Sequence, residues 1–126
     1  MNTNSIPTTA PAVSTEITDV ATQLVGFHPA LDRAVTALVD LLEAGLTTDQ
    51  SMCVVAALGG AEDSLSRLLG LVLRQIANPD TNPALADLPT GPKQALRRLG
   101  AEYAAGIDDD YLRQSAAEVC AVIEGV

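Results

Sequence analysis

The residues able to do chemistry are few and widely separated. His28 is the only histidine, set between Phe27 and Pro29 at what reads as a helix entry. Nucleophilic catalysis through histidine needs an activated Ser or Cys within hydrogen-bond reach, and the sequence displays no such pairing, so capping or packing is the expected role. Cys53 and Cys120 lie far apart among apolar neighbours and read as reduced thiols that pack like small core residues. One His and two distant Cys do not make a zinc site. Asp108, Asp109 and Asp110 lack the alternate spacing and distal Glu of a calcium loop; three acids ahead of a helix read as an N-cap with favourable charge at the positive helix end. Every Glu falls on the polar side or near the end of an expected helix. The sequence therefore predicts no catalytic residue, no metal, no cofactor and no enzyme.

Composition narrows the partners. The chain has 126 residues and a net charge of −9, with one lysine (Lys93) and six arginines. Phosphate backbones are bound by Lys and Arg that release counterions, and a net negative surface repels nucleic acid and anionic membrane alike. The acidity points, more weakly, to a basic protein partner. No apolar run reaches the roughly 18–20 residues of a membrane span, and the N-terminus lacks the pattern of a signal peptide; a cytoplasmic location is the expectation.

The elements that would position any site are helical. Apolar residues make up 48% of the chain, yet Phe27, Tyr103 and Tyr111 are its only aromatics. Alternating β-type runs are absent, and an aliphatic core between closely approaching helices is expected. Residues 1–14 read as a disordered tail. Thr15 is the expected N-cap of a first helix that stops near Gly26. Pro29 opens a second, with Leu31, Val35, Leu38 and Leu42 on one face and Gly45 as the stop. Thr48 caps the next segment. A helix from about 61 to 78 carries Leu65, Leu68, Leu69, Val72, Leu73 and Ile76 on one stripe, with Asp63, Arg67, Gly70 and Arg74 on the other. Residues 79–91 form an irregular connection. Pro92 then begins a helix with Leu96, Leu99 and Tyr103 inward, ended by Gly106. The last helix turns Leu112, Ala116, Val119, Cys120 and Ile123 inward.

The stretch 46–78 holds the one functional pattern. Gly59-Gly60-Ala61-Glu62-Asp63-Ser64 fits neither phosphate-loop spacing. Val54 to Gly60 followed by Ser64-Leu65-Ser66-Arg67-Leu68-Leu69 resembles the helix-turn-helix sequence pattern, with residues 52–69 as the motif. That resemblance implies that residues near Ala61 to Arg67 enter a major groove, with Ser64, Ser66, Arg67 and Arg74 as candidate DNA contacts. Glu62 and Asp63 would then face phosphates, and Val55 stands where the pattern usually has a small Ala. The other reading is a structural corner feeding a central helix. The leucine stripe, widened by Leu71, exceeds what one neighbouring helix covers, and Gly70 between Arg67 and Arg74 permits close backbone approach. Leu71, Gly70 and Arg74 are thus a candidate interaction face.

The expected fold is all-α: five to six short helices around a central helix (about 61–78), as a single domain over 15–126 behind the tail. The leading functional expectation is a non-enzymatic protein acting through protein–protein contacts, with a protein partner or a second copy. A helix-turn-helix DNA-binding regulator is the alternative, and a carrier or enzyme using an aliphatic pocket between helices a third. Membrane and metal partners are not expected.

Overall fold

Ser14 starts the first helix by accepting the backbone N–H of Ile17 on its hydroxyl at 3.1 Å. The computed structural model describes residues 13–125; apart from Val13 and Ser14, the expected tail lies outside the described residues. Ser14, one residue earlier than Thr15, is thus the N-cap of α1 (Thr15–Gln23), and Thr15 is its first helical residue. Gly26 turns the chain with φ 94° and donates its N–H to Asp32 at 3.0 Å. His28 caps α2 (Pro29–Glu43): its Nδ1 accepts the N–H of Ala30 at 3.0 Å, with proline at the first position. Gly45, at φ 72°, closes the helix as expected.

The chain divides into two compact units, one through Thr47 and one from Thr48. The first is the α1–α2 pair. An open groove of about 330 Å³ runs along it, lined by Ile17, Val20, Leu24, Val35, Leu38 and Val39 among others. Leu31, Leu38 and Leu42, expected on an inner face, are exposed, because two helices alone cannot enclose an aliphatic core.

The second unit holds α3 (Thr48–Val55), α4 (Leu65–Ala77), α5 (Thr90–Ile107) and α6 (Asp110–Glu124). α3 runs into one wide π-type turn over Ala56–Gly60, closed by Ala61 N–H on the Ala56 carbonyl at 2.8 Å. The Gly-Gly pair therefore ends a helix and is not a kink within one. At Gly60 this turn lies against α6, where an added Cβ would make ordinary contact with the backbone of Ala116 and Ala117 at 3.4–3.5 Å. α3 packs on α6, and α4 packs on α5. Asp109 caps α6 through the N–H groups of Tyr111 (2.7 Å) and Leu112 (3.4 Å), as the acidic triplet implied.

Helix ends differ from expectation at four further places. Thr48, expected to cap α3, is its first helical residue. The central helix starts at Leu65, not near 61, because Ala61 is extended and Ser64 supplies the cap. α5 begins at Thr90, placing Pro92 in its first turn, where its missing N–H costs nothing. Gly106 lies inside α5, which continues to Ile107.

The all-α class holds: the described residues contain helices and no strand. None of these helices is long and apolar enough to cross a membrane. The distribution of burial is the larger correction. Buried positions are small residues, Ser64, Gly70, Pro79, Gly100 and Ala104, while Leu99, Tyr103, Leu112 and Val119, all expected inward, are exposed. Cys53, expected in a core, is exposed and free; Cys120 is half-buried, its thiol donating to the Met52 carbonyl at 3.4 Å.

Candidate functional surface

α4 packs through its small side. On α5, Gly100 lies against Arg74 and Ala77, and Ala104 and Ile107 against Gly70, so the two helices run antiparallel. A Cβ on Gly70 would collide with Cγ2 of Ile107 and sit 3.1 Å from Cα of Ala104. A Cβ on Gly100 would sit 3.3 Å from the Cβ of Ala77 and 3.4 Å from Cα of Arg74. Glycine and alanine thus bring the two backbones close, the arrangement by which small residues let helices approach. Gly70 does permit close backbone approach, and the backbone it admits is α5 of its own chain.

With Gly70 and Arg74 turned to α5, helical geometry fixes where the leucines go. At 100° per residue, Leu65, Leu69, Val72 and Ile76 fall within roughly 60° of one another, roughly 150° around the helix from Gly70 and Arg74. Leu68, Leu69, Val72, Leu73 and Ile76 are 54, 51, 46, 37 and 60% exposed, whereas Leu65 and Leu71 are half-buried. The most amphipathic helix of the chain is therefore held by its small and polar side and turns its apolar side outward. The sequence identifies both stripes; it does not say which one the neighbouring helix would take.

Both ends of α4 are well tied. Ser64 is buried and accepts the N–H of Arg67 at 3.3 Å. Ser66 donates its hydroxyl to the Leu58 carbonyl at 2.8 Å, fixing the corner between the π-type turn and α4. At the C-terminal end, Thr81 donates to the Gln75 carbonyl at 2.7 Å and Asn82 to that of Ile76 at 2.8 Å, so carbonyls that a helix end leaves orphaned are satisfied by the following loop.

Three of the four candidate DNA contacts are engaged within the chain. Ser64 is a cap and Ser66 a corner bond. Arg67 pairs with Asp63 at 2.7 Å, the i,i+4 pair that the spacing suggests, worth a few tenths of a kcal/mol. Arg74 is exposed and forms no ion pair among the described residues. On α5, Arg97 grips Asp80 through two hydrogen bonds, Nε at 2.9 Å and Nη2 at 2.8 Å, and Arg98 lies 3.4 Å from Glu102. The Arg97 hydrogen bond, assisted by the positive charges of Arg97 and Lys93, holds the Asp80 carboxyl below its ordinary range; the arginine is shifted up in return. Arg113 pairs with Asp108 and Asp110 at 2.9 and 3.0 Å. Among the described residues no group of three or more His, Cys, Asp or Glu is placed to hold a metal ion.

Comparison with known proteins adds no constraint: no family model, curated protein or solved structure is significantly similar to this chain.

Proposed function

We propose that this is a small non-enzymatic helical module that acts in the cytoplasm through protein–protein contacts, self-association among them. One observation carries the reading: α4 is anchored to α5 by Gly70, Gly100 and Ala104 and leaves its leucine stripe uncovered. Isolated exposed leucines are ordinary, but a contiguous apolar stripe on a well-anchored helix marks an interaction surface. The free thiols of Cys53 and Cys120 fit a reducing compartment.

The test asks whether the stripe is surface or hidden core. Leu69→Gln combined with Ile76→Gln, measured by circular dichroism in dilute solution, is expected to keep the helix content of the natural chain. Substitutions at exposed positions usually stay within about 0.5 kcal/mol, whereas emptying a core position costs about 2–5 kcal/mol. A double variant that unfolds in dilute solution would overturn the reading.

The alternative, a helix-turn-helix regulator with residues 52–69 as its motif, draws support from the corner that Ser66 closes on Leu58. Against it count the seating of α3 on α6, with α4 on α5, and the carboxylate partners already held by Arg67, Arg97 and Arg98. Titration with mixed duplex DNA discriminates: a groove reader binds near about 50 mM salt and loses affinity steeply as salt rises.

A further inference from the structure

We infer that the outward stripe of α4 is the seam of a homodimer, in which Leu65, Leu69, Val72 and Ile76 of one copy interdigitate with the same residues of a second copy. The inference rests on the interaction-module reading and names its surface and its partner.

Spacing is the first argument. The four residues recur at steps of four, three and four, the a/d repeat by which apolar side chains of one helix enter holes on another. The positions flanking such a seam are Ser66, Leu68, Leu73 and Gln75, all uncharged. Gly70, Arg67 and Arg74 fall on the far side, toward α5.

Charge is the second. The chain carries −9, yet α4 from Leu65 to Ala77 contains no carboxylate. Two copies therefore meet along this helix without placing like charges opposite one another, which elsewhere on so acidic a surface would be hard to avoid. A basic partner finds nothing on the stripe to pair with. A face without charge at its edges selects by apolar fit, and an identical face supplies the matching pattern under two-fold symmetry.

Area is the third. Leu68, Leu69, Val72, Leu73 and Ile76, each about half exposed, offer on the order of 450 Å² per copy, against about 800 Å² per partner in a standard interface. Leu99 and Tyr103 on the adjacent α5, 51 and 46% exposed, add on the order of 200 Å². The sum lies near what a specific dimer requires and at or above the largest patch a monomer ordinarily shows, about 300–600 Å².

Light scattering coupled to size exclusion, on the full chain at about 100 µM, is expected to return twice the 13.0 kDa chain mass. Val72→Lys and Ile76→Glu each set a charge in the seam and are expected to weaken dimerisation at least 100-fold. Arg74→Gln, on the far side of α4, is expected to leave it unchanged. Circular dichroism on each variant confirms retained helix content, and the two seam positions provide independent trials should one variant fail to fold. A natural chain that stays at 13.0 kDa, or a dimer indifferent to both folded seam variants, overturns the inference. Neither result touches the interaction-module reading, which falls only if the Gln double variant unfolds in dilute solution.

Discussion

Gly70 decides which side of α4 faces inward. Alanine at this position would gain about 1 kcal/mol in helix propensity, but its methyl group would strike Ile107 and press on Cα of Ala104. Ile107 can rotate away; a backbone carbon cannot, so the helices would have to separate. Overpacking of this kind costs about 1–3 kcal/mol. Gly70→Ala is expected to lower stability in urea by about 1 kcal/mol net. Gly106→Ala provides the contrast: it lies in the same pair of helices, where the methyl of an alanine would have nothing within 4 Å, and is expected to raise stability by up to about 1 kcal/mol. Equal effects from the two substitutions would show that close approach at Gly70 is not what holds α4. Sequence reasoning recognises Gly70 as a site of close backbone approach and cannot say which backbone arrives, because a glycine carries no side chain to name its neighbour.

At the scale of elements, capping was legible in part. The acidic triplet announces the cap that Asp109 supplies, and His28, expected to cap or to pack, caps α2, whereas Thr15 and Thr48, expected as caps, are the first helical residues of α1 and α3. The extent of α4 was less so: Glu62 and Asp63 look like a helical first turn, but Ser64 captures the Arg67 N–H and starts the helix later. Least legible was orientation. A rule that sends the apolar stripe to the neighbour misplaces Leu68, Leu99 and Tyr103 together, since the contact between α4 and α5 is made by small residues and the large ones are left for another surface. The connection between these helices carries its own test. Arg97 on α5 holds Asp80 of the loop by two hydrogen bonds, and the Asp80 carboxyl titrates below its ordinary range. A carboxyl whose pKa is lower folded than unfolded contributes stability that is fully present above the unfolded value, near pH ~4, and is lost as pH falls through the folded value. Thermal melts from about pH 7 to about pH 2 should therefore show the natural chain losing more stability below about pH 4 than Asp80→Asn does. Superimposable pH profiles would mean that the bidentate pair does not clamp the loop in solution.

For the whole molecule, salt separates the two functional readings by sign. Two chains of −9 each repel as they approach, while the seam between them contributes no charge pair that salt could weaken. Raising ionic strength from about 50 to about 500 mM shortens the screening length from about 14 to about 4 Å and leaves apolar contacts intact. The dimer should therefore tighten across this range, with its dissociation constant by sedimentation falling severalfold. A groove reader does the opposite, because each phosphate it neutralises releases counterions and affinity drops steeply with salt. Linkage supplies a second readout of the same equilibrium: where the dimer predominates, its folded state gains about 1.4 kcal/mol per dimer for each tenfold rise in protein concentration, so the urea midpoint should climb with concentration, and more readily at high salt. Self-association that weakens as salt rises would place charged groups in the interface and move the seam away from Leu69, Val72 and Ile76, to a surface where the arginines of this acidic chain meet its carboxylates.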